Sequence, residues 1–130
     1  MVLATEKSDG MTGLGTRLGW AALGVAALAG AFVIAGADAW QIWVFLFLPD
    51  VGLIAGMSSG LQKGQLHPRA VPLYNALHMW VGPLALGLAS LVIGIDWFAG
   101  ALAWTAHIAI DRSFGYRLRD KQGFIRATGS

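Results

Sequence analysis

The chain has 130 residues, of which 56% are hydrophobic and only 12% are charged, whereas a soluble domain carries about a quarter charged residues. It contains no cysteine, which excludes disulfides, thiolate metal sites and cysteine nucleophiles. The net charge of +2 is small, so the distribution of the charges along the chain is more informative than their sum.

The basic residues collect at the C-terminal end, where five of the nine occur: Arg112, Arg117, Arg119, Lys121 and Arg126. No aromatic platform is interleaved with them and no recognition helix is evident, so nucleic acid is not an expected partner. A basic tail facing the anionic inner leaflet of a membrane is the simpler interpretation.

Four segments have the length and apolar character of membrane-spanning helices, which need about 20 residues each. They cover residues 18–36, 40–57, 71–94 and 97–116. The turns between the first two and between the last two are very short, which predicts two tight helical hairpins. The sequence therefore predicts an all-α polytopic membrane protein with four transmembrane helices.

Lysine and arginine placement predicts the orientation, because cytoplasmic segments carry an excess of these residues. Basic residues precede the first span, lie between the second and third, and follow the fourth, while the hairpin tips hold only Asp38 and Asp96. Both termini and the 58–70 loop are therefore expected in the cytoplasm of a bacterium, with the protein in its inner membrane. The expected organisation is a cytoplasmic tail (1–17), a transmembrane domain (18–117) and a basic C-terminal tail (118–130).

The first span has two further interpretations. Its position and the Ala35-Gly36-Ala37 sequence resemble a signal peptide, but its apolar stretch exceeds the about 7–15 residues of a signal h-region. Ala22, Ala26 and Gly30 form a small-residue face that allows close helix packing. That face predicts packing onto a neighbouring helix of the same chain, with a homo-oligomer seam as the alternative.

Polar side chains occur in three of the four spans: Asp50 in the second, Asn75 and His78 in the third, and His107, Asp111 and Arg112 in the fourth. With a rise of about 1.5 Å per residue, the carboxylates, imidazoles and amide lie at similar depths near the cytoplasmic side. Residues three or four apart share a helix face, so His107 and Asp111, which are four apart, are expected on the same face. Ionisable residues inside a bilayer are costly, which predicts a buried functional site.

The favoured interpretation is a divalent metal site, since imidazole and carboxylate suit Zn²⁺, Fe²⁺ or Mn²⁺. The predicted metal ligands are Asp50, His78, His107 and Asp111. Asn75 is expected to support or join them, and Arg112 to hold an anionic group of a lipid-like or amphiphilic substrate. A metal-dependent membrane enzyme is one form of this hypothesis.

Three alternatives remain open at this point. His78 and His107 could ligate haem b between the third and fourth spans. The histidines and carboxylates could relay protons or ions, although polar residues occur only in the cytoplasmic half. Finally, the polar groups could simply lock the helices of a structural or accessory subunit together.

Three motifs resemble a known family. They are FLPDVGLIAG (47–56), YNALH (74–78) and HIAIDRSFGYRL (107–118), and they resemble those of the bacterial domain-of-unknown-function 4260 family of small four-helix membrane proteins. The resemblance implies that fold. It also implies that the six polar residues of the predicted site are motif positions of the family: Asp50, Asn75, His78, His107, Asp111 and Arg112. It implies no particular reaction.

Overall fold

The computed structural model describes residues 2–126, with side chains described from residue 13 onwards. Its α-helices are α1 (Val2–Ala35), α2 (Trp40–Phe47), α3 (Val51–Ala55), α4 (Val71–Leu77), α5 (Val81–Ile93) and α6 (Ile95–Ser113). Two 3₁₀ turns, Leu48–Asp50 and Pro68–Ala70, precede α3 and α4. Extended pairing within residues 2–126 is limited to an isolated antiparallel bridge between Arg119 and Ile125. The chain is therefore helical, as the sequence predicts.

Helix α6 lies at the centre, packed against α1, α2 and α5. Its small residues Ala99, Ala103 and Ala106 are completely buried. On α1, a Cβ atom at Gly24 would lie 2.7 Å from Ile110 and 3.3 Å from the carbonyl oxygen of Ala106. Small side chains thus let three helices approach α6 closely, so residues of α6 can reach groups on several neighbours.

The face of α1 that packs inside the molecule is only partly the predicted one. A Cβ atom at Gly30 would lie 3.7 Å from Leu102 of α6, but Ala22 and Ala26 are exposed. The buried alanines of α1 are Ala27 and Ala31. The reason is the close approach at Gly24, which turns the opposite small residues outward. A homo-oligomer through the exposed small-residue face stays a prediction.

The connection between α1 and α2 and the connection between α5 and α6 lie at the same end of the molecule. The ring centroids of Trp40, at the start of α2, and Trp97, in the first turn of α6, are 5.2 Å apart in an edge-to-face contact. Gly94 joins α5 to α6 with a φ of 120°. The short connections predicted at Asp38 and Asp96 therefore sit side by side.

The loop before α4 and the C-terminal residues pack together. The backbone N–H of Leu66 donates to the carbonyl of Gly123 at 2.9 Å, and that of Arg126 donates to Leu118 at 2.9 Å. Gly123 has a φ of 102°, and its Cα faces the Leu66 backbone so closely that no side chain fits. The predicted basic tail is thus a folded hairpin up to residue 126, and its last residues, 127–130, lie outside the described part.

The helices differ in whether they could cross a bilayer. By length and composition, residues 13–35 could do so, and the pair 68–77 and 81–93, bent by 42°, could form a second, broken span. Residues 40–55 form a shorter apolar helix interrupted at Pro49. The helical architecture is confirmed, and the number of transmembrane passes stays a prediction.

Gly52 provides a test of the packing between α3 and α4. A Cβ atom there would lie 2.8 Å from Cα and 3.0 Å from N of Tyr74, and backbone atoms cannot yield as a flexible side chain can. We expect Gly52→Ala to lower the free energy of unfolding by about 1–3 kcal/mol, measured by thermal unfolding in detergent. Gly19→Ala is the control, because nothing lies within 4 Å of its Cβ position. Equal melting temperatures for the two variants would contradict this packing.

Candidate metal centre

Four ionisable side chains from three parts of the chain converge at one point. Asp50, His78, His107 and Asp111 each offer a ligand atom, and these atoms all lie within 4.8 Å of one another. Asp50 ends the 3₁₀ turn before α3, His78 follows α4, and the other two lie on α6. The convergence expected from their depths along the helices is therefore present.

The position of His107 depends on the interruption at Pro49. Proline has no N–H and a 3₁₀ turn begins at Leu48, so the helix does not use every carbonyl of the preceding turn. The Leu46 carbonyl lies 2.7 Å from Nδ1 of His107. A carbonyl can only accept, so Nδ1 carries the proton and donates it. This hydrogen bond fixes the ring orientation and turns Nε2 towards the carboxylates.

His78 is held in the same way at the break between α4 and α5. Its Nδ1 lies 2.8 Å from the Tyr74 carbonyl and must donate to it. Its ring stacks on the Tyr74 ring, with centroids 4.1 Å apart. The Leu77 carbonyl, which the broken helix leaves free, accepts instead from Nε1 of Trp104 at 2.8 Å. The bend thus presents Nε2 of His78 to α6.

The two Nε2 atoms face carboxylate oxygens. His78 Nε2 and His107 Nε2 lie 3.1 Å and 3.2 Å from the same Oδ2 atom of Asp111. His107 Nε2 also lies 3.2 Å from Oδ1 of Asp50. Since both Nδ1 atoms hold protons, neutral imidazoles would direct Nε2 lone pairs at negative oxygens. The arrangement therefore requires a proton or a metal cation between these atoms.

The cluster opens towards one side only. His78 is 3% exposed, while the Asp50 side chain is 44% exposed. Asp50 and Asp111 line a cleft of about 430 Å³ between α3, the loop before α4 and the C-terminal hairpin. The histidines are thus buried behind the carboxylates, which line the cleft that a small molecule could enter.

The remaining two predicted residues lie in different surroundings. Both amide atoms of Asn75 are bound to the Arg119 backbone: Nδ2 donates to its carbonyl at 3.0 Å and Oδ1 accepts from its N–H at 2.8 Å. Asn75 thereby ties the C-terminal hairpin to α4. The Arg112 guanidinium lies 6.0 Å from the centre of the Trp20 ring on α1, and its predicted substrate role stays a prediction.

Arg119 is a site residue that sequence reasoning missed. It lines the cleft with both carboxylates, is only 5% exposed, and its guanidinium lies 4.8 Å from the centre of the Tyr74 ring. In the sequence it is one of several basic residues in a polar tail, a context typical of solvated charges. Only the hydrogen bonds that fold this tail back reveal its position.

Comparison with known proteins addresses the family. The family model described as Domain of unknown function (DUF4260) matches residues 17–128. The chain belongs to this family. The match covers all three motifs from which the resemblance was inferred, so every residue of the cluster lies within the DUF4260 domain. Neither the curated proteins nor the solved structures contain a match.

Proposed function

We propose that this DUF4260 protein is a multi-pass membrane protein that binds a divalent transition metal, Zn²⁺, Fe²⁺ or Mn²⁺, through Asp50, His78, His107 and Asp111. The observation that carries the proposal is that the buried Nε2 atom of His107 lacks a hydrogen-bond partner within the described residues, although two carboxylate oxygens lie 3.2 Å away. A metal between these atoms would satisfy all three.

The spacing of the ligand atoms supports an ion of this class. With bonds of about 2.1 Å, neighbouring ligands are about 3.4 Å apart in a tetrahedron and about 3.0 Å apart in an octahedron. Three contacts of His78 and His107 with the carboxylates, at 3.1–3.2 Å, lie between these values, and all four ligand atoms lie within 4.8 Å of one another. Metal-binding histidines also commonly donate their other ring N–H to a backbone carbonyl, as both histidines do here.

The haem alternative has less support. The His78 and His107 ring centroids are only 5.3 Å apart, and both rings contact one oxygen of Asp111. A macrocycle between the imidazoles would have to displace this carboxylate from its position. One observation favours the alternative in which the polar groups only hold the helices together: the cluster connects α4 and α6 to the Asp50 turn.

Membrane insertion is supported by apolar side chains that the protein does not bury. Only 17% of the most apolar stretch within residues 13–35 is buried, unlike the core helix of a soluble protein. A signal peptide would not account for α5, where Leu84, Leu88 and Leu91 are 67–82% exposed on one face. Exposed apolar faces on α1 and α5 support contact with lipid. We propose four passes in the bacterial inner membrane, a number that rests on the four apolar segments of the sequence.

The cleft suggests an amphiphilic, lipid-like substrate, because Leu53, Met57 and Leu66 line it together with the carboxylates. A bound metal would supply Lewis-acid activation of a ligand. Asp50, His78, His107 and Asp111 would hold the ion beside the cleft that the two carboxylates line. A metal-dependent reaction on such a molecule is the activity that this arrangement supports best.

Metal analysis of the detergent-purified protein tests the proposal. We expect about one transition-metal ion per chain at neutral pH, and progressive loss as the pH falls through about 6. The sign follows from competition, since protons and the metal bind the same ligand atoms. The absorption spectrum of the same sample checks for a Soret band. Protein that remains metal-free and colourless after incubation with each of the three metals would refute the metal proposal.

A further inference from the structure

Arg119 is a buried cation whose charge the described residues do not balance. Among side chains described from residue 13 to 126, none places a carboxylate in ion-pair contact with its guanidinium. Instead Nη1 donates to the carbonyls of Gly64 and Gly123, at 3.0 Å and 2.8 Å. Within the same part of the chain, buried Nε has no hydrogen-bond partner. Burying a charge without a counter-ion is costly, so the arrangement indicates a missing anionic partner.

The sum of the formal charges around the cleft also indicates a missing anion. Two carboxylates and one divalent ion sum to zero, and neutral histidines add nothing. With the metal bound, the positive charge of Arg119 is therefore left over in the cleft that Asp50 and Asp111 also line. The Arg119 guanidinium and the His78 ring both contact Tyr74, which keeps the arginine beside the metal ligands.

We infer that the cleft binds an amphiphilic phosphate, with the negative charge against Arg119 and the metal, and the apolar part along Leu53, Met57 and Leu66. Arginine is suited to phosphate because its charge-assisted hydrogen bonds are strong. A cleft of about 430 Å³ is larger than one inorganic ion needs and lies within the size range of small-molecule sites. The inference rests on the proposed metal centre and names the substrate class for that centre.

The test is calorimetric titration of the metal-loaded protein with two probes, inorganic phosphate and dihexanoyl phosphatidate. Stoichiometric binding of the phosphatidate is expected, with weaker binding of the free phosphate. Arg119→Gln should weaken binding about 10- to 100-fold, the effect of losing a charge-assisted hydrogen bond. Arg126→Gln is the matched control, because Arg126 is an exposed arginine of the same hairpin.

A second pair of variants covers the case in which Arg119→Gln does not fold. Met57 lines the cleft and is 74% exposed, so its replacement leaves the core unchanged. Met57→Gln and Met57→Glu both remove an apolar contact, but only glutamate adds like-charge repulsion, so Met57→Glu should weaken phosphatidate binding clearly more than Met57→Gln, which is similar in size.

Metal content measured on the same samples separates the two proposals. If the protein holds no metal but binds phosphatidate through Arg119, the metal proposal fails and the anion site stands. If metal is bound but neither probe binds, the anion site is refuted. It is also refuted if Arg119→Gln and Met57→Glu, both with normal metal content, bind the phosphatidate as tightly as the unaltered protein. Equal affinity for the two probes would refute the amphiphile in favour of a free phosphate.

Discussion

His107→Ala and Asp111→Ala are each expected to abolish stoichiometric metal binding, with affinity falling by more than about 100-fold. Loss of a group that merely supports a ligand typically costs about 10- to 100-fold, so loss of a direct ligand should exceed that. Asp111 should be especially sensitive because its Oδ2 atom lies within 3.2 Å of both histidines. Metal content after dialysis and competition with a chelator provide the measurement.

Further variants distinguish the proposed metal centre from a haem site and from a purely structural cluster. Asn75→Ala should reduce metal affinity less, because its amide binds the Arg119 backbone and supports the site from one side. Asp96→Ala, at the opposite hairpin tip, is the carboxylate control and should retain the metal.

Haem would instead give a Soret band that is lost without His78 or His107 and retained in Asp50→Ala. A structural cluster would give only lower melting temperatures, and metal that survives both the His107 and Asp111 substitutions would rule out this centre.

Single-cysteine labelling is expected to give an all-or-none difference between the two ends of the molecule. The chain has no native cysteine, so each introduced thiol is the only one. In intact bacterial cells, a membrane-impermeant maleimide should label Asp38→Cys and Asp96→Cys from outside, and Lys63→Cys only after the membrane is opened. The physical reason is the excess of lysine and arginine on the predicted cytoplasmic side.

The packing makes this topology experiment sharper. Trp40 and Trp97 are in contact, so the labels near both turns must report the same side. All three positions are exposed in the structure, so burial within the protein would not block the reagent. Labelling of Lys63→Cys from outside would contradict the orientation and place the cluster near the outer leaflet instead.

The sequence by itself determined the helical class, the approximate helix positions and the residues of the cluster. Apolar stretches of helix length fix where helices form, and the rise per residue fixes how deep a side chain lies. His107 and Asp111 had to share a face because they are four residues apart on one helix. Depth arguments of this kind also related Asp50 and His78, which lie on other segments, to the same level of the molecule.

Tertiary structure decided what those rules do not contain. After the bend that follows α4, the Leu77 carbonyl accepts from Trp104 of α6, a partner that no local pattern indicates. Which face of α1 packs inside depends on the close approach of Gly24 to α6. Arg119 became a cleft residue only because Asn75 and Gly123 fold the tail back over the loop before α4. These contacts join residues far apart in sequence, and their formation depends on the shape and polarity of both partners rather than on a local pattern in either.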